Sequence, residues 1–182
     1  MIKFNVYKID NHNPIYGPYN RTVIWFAGCS LHCKGCINPE LWVRKDEYYL
    51  SLEELLAMIK DDHVTLLGGE PLEQENLEFL VDALKSKDIG IILFTGYSLK
   101  ELDGRKSSIC DKCDVVISER FDISLKDDNL YLRGSTNQII SFNSNRYDKN
   151  DFDKPNQKLI KISKDVSSYG RDKGLINELL EL

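Results

Sequence analysis

The stretch "TVIWFAGCSLHCKGC", residues 22 to 36, joins a strand pattern to a cysteine motif and decides the fold. Its first part, residues 22–27, is a short apolar run rich in β-branched and aromatic side chains, which predicts a buried strand. Cys29, Cys33 and Cys36 follow directly, with the spacing C-x3-C-x2-C. We therefore expect the three cysteines to lie on the loop that leaves this strand.

Segments typical of strands and helices alternate along the chain. Helices are predicted from Ser51, where Glu54 completes a capping box, and from Ser98, where a short helix also has a glutamate three residues on. Another helix places Leu77, Leu80, Val81 and Leu84 on one face. The remaining strands are predicted over residues 1–9, 64–67, 89–95 and 114–118. This alternation indicates βαβ units and a mainly parallel sheet.

Three loops with unusual residues leave the carboxyl ends of these predicted strands. They are the cysteine loop, "GGEP" at residues 68–71 and "TGY" at residues 95–97. Functional sites in parallel α/β folds gather at the carboxyl ends of the strands. The topology therefore predicts that all three loops meet at one rim of the sheet.

The rest of the chain is less regular. Residues 129–142, "NLYLRGSTNQIISF", are expected to form two short strands around a turn. Residues 143–157 are polar and rich in Asn and Asp, which predicts a loop. A strand over residues 158–163 and a final helix over residues 172–182 are expected to follow.

Length, charge and cysteine usage restrict the function classes. The 182 residues suit one domain that can bury a core without disulfides. A formal charge of −5 argues against a general nucleic-acid binder. No apolar run reaches the roughly 20 residues that cross a bilayer, and the amino terminus is a poor signal peptide. We therefore expect a cytoplasmic protein, in which clustered cysteines are metal ligands or catalysts.

Three clustered cysteines suit an iron–sulfur cluster that takes part in chemistry. An ordinary electron carrier uses four thiolates. Three thiolates can hold a [4Fe–4S] cluster and leave one iron open for a substrate, as catalytic zinc sites leave one position open. A zinc site remains an alternative, because Cys110 and Cys113 form a second C-x2-C pair that could supply a fourth ligand. The cysteines could also bind nothing.

The spacing C-x3-C-x2-C, followed by "GGEP", resembles the radical S-adenosylmethionine (SAM) superfamily. The closest likeness is to the activating proteins of anaerobic (class III) ribonucleoside-triphosphate reductases, over roughly residues 14–142. The matching segments are "GPYNRTVIWFAGCSLHCKGCINPELW", "LLGGEPL", "LFTGYSLKEL" and "LRGSTNQ". The resemblance implies an α/β fold, a partial (βα) barrel with a mainly parallel sheet. It also implies a single domain over residues 1–182.

The resemblance further implies an oxidoreductase that uses a [4Fe–4S] cluster and SAM. Proteins of this family bind SAM at the open iron and cleave it reductively to methionine and a 5′-deoxyadenosyl radical. The radical removes a hydrogen from one glycine of the reductase. The implied partners are the large subunit of an anaerobic ribonucleoside-triphosphate reductase and an electron donor such as flavodoxin or ferredoxin. No nucleic acid and no membrane is expected.

Site residues follow from the matching segments. The implied cluster ligands are Cys29, Cys33 and Cys36. The residues implied to contact SAM are Gly35, Cys36, Ile37, Gly68, Gly69, Glu70 and Thr95. Residues 133–138, "RGSTNQ", match the family without an assigned role. Their Asn and Gln side chains could equally satisfy buried backbone groups at a strand end.

One departure from the family pattern lies upstream of the cysteines. The family usually has Gly-Pro-Gly before the cluster strand, whereas this chain has Tyr19 at the third position. A tyrosine does not adopt glycine's backbone angles freely. We therefore expect this loop to be shaped differently from that of the family. We also expect it to lie near the surface that contacts the partner.

Two other functions remain open. The same cofactor chemistry could modify a different glycyl-radical enzyme or a peptide. A non-enzymatic module that binds zinc and docks to another protein would also contain clustered cysteines.

Overall fold

The computed structural model describes residues 2–102 and 104–153. Seven strands and four helices are present in this part of the chain. The strands are β1 (Lys3–Asn13), β2 (Arg21–Phe26), β3 (Tyr49–Ser51), β4 (His63–Gly68), β5 (Gly90–Phe94), β6 (Val115–Ser118) and β7 (Ile139–Phe142). The helices are α1 (Leu52–Met58), α2 (Leu77–Ser86), α3 (Gly104–Lys112) and α4 (Asn150–Asp153).

The strands form one sheet in the order β3-β1-β2-β4-β5-β6-β7. The central strands β2, β4, β5 and β6 are parallel neighbours in chain order, whereas β1, β3 and β7 pair antiparallel at the two sides. Parallel strands that follow one another in chain order are wound as in a (βα) barrel. The predicted α/β fold is confirmed, and the sheet is mixed: its central pairings are parallel and the pairings at its two sides are antiparallel.

Helices α1, α2 and α3 cover one face of this sheet with a continuous apolar core. Strand residues such as Ile24, Leu66 and Leu93 pack there against helix residues such as Leu80 and Ile109. The predicted face of α2 is confirmed, since all four of its leucine and valine residues named above are buried. The predicted capping box at the start of α1 is also present.

The other face of the sheet carries a smaller core built partly from the predicted polar loop. Ile92, Val115 and Ile117 contact Tyr147 and Phe152 there. The loop predicted over residues 143–157 is therefore wrong in part: up to residue 153 it is anchored by buried aromatic rings and contains the four-residue helix α4. A polar composition did not reveal two isolated aromatic residues that complete a core.

The short helix expected at Ser98 is present as a 3₁₀ helix, Leu99–Glu101, with Ser98 as its N-cap. One further prediction is corrected. The first of the two strands expected within residues 129–142 is replaced by turns, and only β7 forms. The strand at 158–163 and the helix at 172–182 lie outside the described residues, so the single domain over 1–182 stays a prediction.

The loop that carries Tyr19 lies at the amino-terminal edge of the parallel strands. Tyr19 has a φ of 63°, a left-handed conformation that favours glycine. Its ring stacks on His63, the first residue of β4, with 5.0 Å between ring centroids. The cysteine loop leaves the carboxyl end of β2, whereas Tyr19 precedes the amino end of β2. The length of β2 therefore separates Tyr19 from the cysteine loop.

Candidate functional site

The cysteine, GGEP and TGY loops meet at the carboxyl edge of β2, β4 and β5, as the topology predicted. The backbone N–H groups of Gly69 and Glu70 donate to the carbonyl oxygens of Phe26 and Gly28, at 2.8 Å in both cases. The GGEP loop therefore runs directly beside the start of the cysteine loop. The TGY loop is attached through the side chain of Glu70.

The cysteine loop presents three free thiols. Cys29, Cys33 and Cys36 are half-buried and unpaired. The N–H of Cys29 donates to the carbonyl of Trp42 at 3.0 Å, and the N–H of Cys36 donates to the carbonyl of Cys33 at 3.1 Å. The ring of His32 packs on the indole of Trp42, with centroids 4.6 Å apart. His32 thus braces the loop.

The carboxylate of Glu73 connects the cysteine loop to the TGY loop. It accepts hydrogen bonds from the backbone N–H and the hydroxyl of Ser30, the latter at 2.6 Å, and from the hydroxyl of Tyr97 at 3.1 Å. Arg44 donates to the backbone carbonyl of Glu73. The sequence analysis missed this residue, because its partners lie far away in the chain and follow no motif.

Glu70 is a second, fully buried carboxylate. It accepts hydrogen bonds from the N–H of Leu72 at 3.0 Å, the hydroxyl of Thr95 at 2.9 Å and the N–H of Gly96 at 2.8 Å. Burial raises the pKa of Glu70 to about 7, although the three hydrogen bonds oppose that rise. The side chains of Glu70 and Thr95, both expected at the SAM site, therefore engage each other and join two loops.

The two glycines of the GGEP loop are required by close backbone packing. Gly68 has a φ of 114°, and a Cβ there would lie 2.5 Å from the backbone N and O of Phe26. A Cβ on Gly69 would lie 2.5 Å from the carbonyl oxygen of Gly28. A side chain at Gly68 would push the backbone away from β2, and one at Gly69 would push it away from the cysteine loop. Close packing against these two segments thus accounts for both glycines before any ligand is considered.

The protein environment acts on the thiols in opposing directions. Burial raises the pKa of Cys29 to about 11, while the backbone N–H groups of Leu31 and His32 lower it. Burial also raises the pKa of Cys33, while the N–H of Phe121 and the charge of Arg120 lower it. The cysteine loop and the segment that follows β6 therefore supply donors and a positive charge that would stabilise thiolates once a metal displaces the protons.

We call residues 133–138 the amide clip. We call residues 119–125, the loop that leaves β6, the β6 exit loop. The amide clip binds the β6 exit loop. Gln138 accepts from the N–H of Gly134 at 2.7 Å and donates to the carbonyl of Glu119 at 3.2 Å. Asn137 donates to the carbonyl of Arg120 at 2.8 Å. These amides therefore do bond to backbone groups at a strand end, but the groups are half-buried or exposed and not buried as expected.

A cavity of about 390 Å³ opens between the cysteine loop and the β6 exit loop. Lys34 and Arg120 supply positive charge to its wall, and Glu119 and Asp122 supply negative charge. Gly96 of the TGY loop lines it as well. Its volume lies within the range of small-molecule sites. The sequence analysis named neither cation, because basic residues in polar loops form no distinctive pattern.

The second C-x2-C pair lies away from solvent. Cys110 and Cys113 are 3% and 1% exposed and belong to the apolar core beneath the helices. Cys113 Sγ donates to the carbonyl of Ile109 at 3.3 Å. Burial raises the pKa of both thiols. The alternative in which this pair supplies a fourth zinc ligand is therefore not supported by its position.

The rim thiols are of the ligand type that an iron–sulfur cluster requires. Within residues 2–102 and 104–153, no three side chains of His, Cys, Asp or Glu converge closely enough to hold one metal ion. A structural zinc ion needs four ligands around one point, whereas the thiolates of a [4Fe–4S] cluster bind different irons.

Among the helices of the described residues, none combines the length and the apolar character needed to cross a bilayer.

Comparisons with known proteins point to one family. The profile of the 4Fe-4S single cluster domain matches residues 15–141. The anaerobic ribonucleoside-triphosphate reductase-activating protein of Vibrio cholerae is 33% identical over 147 residues, which cover 74% of this chain and 93% of that protein. The protein of the same name from Haemophilus influenzae is 34% identical over 141 residues, covering 69% of this chain and 90% of that protein.

Two other similarities are more partial. The pyruvate formate-lyase-activating enzyme of Clostridium pasteurianum is 34% identical over 144 residues, covering 72% of this chain and 57% of that enzyme. The crystal structure of QueE from Escherichia coli aligns with a TM-score of 0.47 and 19% identity, over 53% of this chain and 54% of that one. Because of the extent of the first matches, the chain belongs to the 4Fe-4S single cluster family of anaerobic ribonucleoside-triphosphate reductase-activating proteins.

Proposed function

We propose that this protein uses a [4Fe–4S] cluster and SAM to generate a glycyl radical on an anaerobic ribonucleoside-triphosphate reductase. The observation that carries the proposal is the cysteine loop, which holds three free, half-buried thiols at the rim beside the GGEP and TGY loops. When bound, the cluster and SAM supply a one-electron cleavage that yields a 5′-deoxyadenosyl radical. The protein binds, orients and shields these groups.

In this proposal Cys29, Cys33 and Cys36 are the ligands, and one iron has no protein ligand. The N–H groups of Leu31, His32 and Phe121 favour the deprotonated sulfurs. Gly35 and Ile37 flank the last ligand and face SAM. Both lie in an exposed part of the loop, and Ile37 has 66% of its surface accessible for such a contact.

The cavity beside the cysteine loop suits the methionyl end of SAM. That end is zwitterionic, and the cavity wall carries both cations, Lys34 and Arg120, and carboxylates such as Glu119. Backbone groups of Gly68 and Gly69 would complete the site. We assign Glu70 and Thr95 a positioning role, because their side chains already bond to each other in the interior.

The proposed partner is the large subunit of the reductase, with a flavodoxin or ferredoxin as electron donor in the cytoplasm. The names of the Vibrio and Haemophilus relatives support the reductase as the target. A second target class is supported by one observation, the 34% identity to a pyruvate formate-lyase-activating enzyme. The same site would then act on a different glycyl-radical enzyme.

Anaerobic reconstitution with iron and sulfide tests the cofactor chemistry. We expect a brown protein that forms 5′-deoxyadenosine from SAM when a reductant is added. A colourless protein that binds stoichiometric zinc and leaves SAM intact would refute the proposal.

The target is tested separately by mixing the reconstituted protein with the reductase encoded by the same organism. We expect a glycyl-radical signal in electron paramagnetic resonance (EPR) that requires SAM. Incubation with a pyruvate formate-lyase provides the comparison. A signal on the lyase alone, with SAM cleavage intact, would transfer the proposal to that second class.

A further inference from the structure

Glu73 is a half-buried carboxylate that no step of the proposed chemistry uses, although it lies between two of the rim loops. One of its oxygens, Oε1, accepts from the hydroxyl of Ser30 at 2.6 Å and from the hydroxyl of Tyr97 at 3.1 Å. A carboxylate oxygen has two lone pairs, so it can accept both bonds at once. A single atom therefore joins the cysteine loop to the TGY loop.

The main chain is held on both sides of Cys29. The N–H of Cys29 donates to the carbonyl of Trp42 at 3.0 Å, and the N–H of the next residue, Ser30, donates to Glu73 Oε2 at 3.0 Å. The side of the loop at Ser30 is exposed to solvent. Hydrogen bonds rather than burial therefore fix the backbone just after the first cysteine.

Glu73 and its partners are anchored from two further segments. The side chain of Arg44 packs against Gly28, where a Cβ would lie 2.6 Å from Arg44 Nε, and its guanidinium donates to the carbonyl of Glu73. The ammonium of Lys106, on α3, lies 4.0 Å from the centre of the Tyr97 ring, an attractive arrangement. The acceptor and its tyrosine donor are thus both held in place.

We propose that Glu73 is a positioning residue for cofactor binding, which holds the cysteine loop in the conformation that receives the cluster and couples that conformation to the TGY loop. This rests on the proposed function, in which Cys29 is a cluster ligand and the TGY loop lies beside SAM. Glu73 acts through Ser30 and Tyr97. A loop that is already in place loses less conformational freedom when it binds, so it retains its cofactor more firmly.

The test compares Glu73→Met with Glu73→Gln. Methionine has a similar length but is a weak acceptor, whereas the amide oxygen of glutamine can replace Oε1. Glu75→Met is the matched control, because Glu75 is an exposed carboxylate of the same segment. Hydrogen exchange of the apoprotein over residues 28–33 measures how firmly the cysteine loop is held. The rate at which the reconstituted protein loses iron to a chelator measures cluster retention.

In Glu73→Met we expect exchange over residues 28–33 and loss of iron both to be about tenfold faster than in the wild type. Glu73→Gln should recover most of the wild-type value in both measurements, and the control should match the wild type. Equal behaviour of the methionine and glutamine variants would show that Glu73 only fills space, which overturns the proposal. Faster exchange with unchanged loss of iron would overturn the link to the cluster.

Tyr97→Phe tests the coupling between the two loops. The substitution removes the hydroxyl of the TGY loop and leaves both bonding groups of Ser30 in place. We expect exchange over residues 28–33 to be about threefold faster, although the substituted residue lies in the other loop. Wild-type exchange over residues 28–33 in this variant would overturn the coupling.

Ser30→Ala keeps the test decisive if Glu73→Met does not fold. Ser30 is exposed, and its replacement removes the 2.6 Å bond while the bond from Tyr97 to Glu73 remains. We expect faster loss of iron than in the wild type, and an unchanged rate would overturn the proposal. A wild-type protein that binds no cluster would instead refute the proposed function, while the exchange measurement would still judge whether Glu73 holds the loop.

Discussion

The chain contains two C-x2-C pairs that share a local turn but differ in environment. The N–H of Cys36 donates to the carbonyl of Cys33 at 3.1 Å, and the N–H of Cys113 donates to the carbonyl of Cys110 at 3.0 Å. The first pair lies half-buried on a rim loop, whereas the second lies at the end of α3 in the core. The C-x2-C spacing determines the local turn, whereas the position of each pair in the fold determines whether its sulfurs are accessible to a metal.

Burial explains why the core pair is suited to packing. Both thiols have a raised pKa, that of Cys110 at about 12, because desolvation outweighs the opposing charge of Lys85 that acts on Cys113. The rim thiols are also partly desolvated, but backbone N–H groups from their own loop and from the β6 exit loop reach them. The pKa of Cys29 and of Cys33 is thus lowered by nearby backbone N–H groups that the core pair lacks, although burial raises the pKa in both regions.

The largest expected effect concerns iron binding. We expect Cys33→Ala to abolish the cluster, because two thiolates cannot hold it in place, whereas Cys113→Ala should retain it. Iron and sulfide content and the visible absorbance of the reconstituted proteins give the measurement. Normal iron content in Cys33→Ala would contradict the ligand assignment, and loss of iron in folded Cys113→Ala would erase the distinction between the two pairs.

Local patterns were sufficient to predict most of the framework around the rim pair. A capping box at Ser51 and an apolar face on residues 77–84 are properties of neighbouring residues, so the sequence displays them directly. The rim position of the three loops then follows from the rules for parallel sheets. The core position of Cys110 and Cys113 agrees with the general tendency of free cysteines to behave as small buried hydrophobes.

Contacts between distant segments could not be predicted in the same way. Glu73 joins Ser30 to Tyr97, and Phe121 fits between Gly35 and Gly134, yet none of these pairs is close in sequence. Such contacts depend on the final register of the sheet and on side-chain rotamers. A single sequence does not encode them in any periodic pattern.

The second prediction concerns Glu70, whose charge acts on both regions, since it raises the pKa of Cys29 and of Cys110. The pKa of Glu70 is raised from 4.5 to about 7, chiefly by burial. Between these values the folded protein holds a proton that the unfolded chain has lost. The apoprotein should therefore lose about 3 kcal/mol of stability as the pH rises from 4.5 to 7.

Denaturant unfolding of the apoprotein at several pH values measures this effect. We expect Glu70→Gln to abolish most of that decline, because the amide does not ionise. Glu75→Gln, which alters an exposed carboxylate of the same segment, is the control and should retain the wild-type slope. Equal slopes in all three proteins would show that Glu70 does not link pH to folding.

The third prediction compares the residues that precede the second cysteine of each pair. Gly35 has a φ of 80° and faces Ile123, so Gly35→Ala should cost about 1 to 2 kcal/mol of apoprotein stability. Lys112 occupies the matching position in α3, where its ion pair with Asp82 is exposed. Lys112→Ala should change stability by less than about 0.5 kcal/mol. Similar costs would mean that the rim turn does not require glycine.

The smallest expected effect concerns apoprotein stability. Here we expect the core cysteine variant to be affected more than the rim cysteine variant, the opposite of the order expected for iron binding. Cys113→Ala removes a sulfur from a packed core and should cost about 1 kcal/mol of apoprotein stability. Cys36→Ala removes a half-exposed sulfur from the rim, so its apoprotein should unfold within about 0.5 kcal/mol of the wild type. Chemical denaturation of both apoproteins gives the measurement. If Cys36→Ala proved the costlier change, the rim sulfurs would also be structural, and loss of iron in their variants could then reflect a disordered loop. The expected result, a stable apoprotein that cannot bind iron, separates ligation from folding.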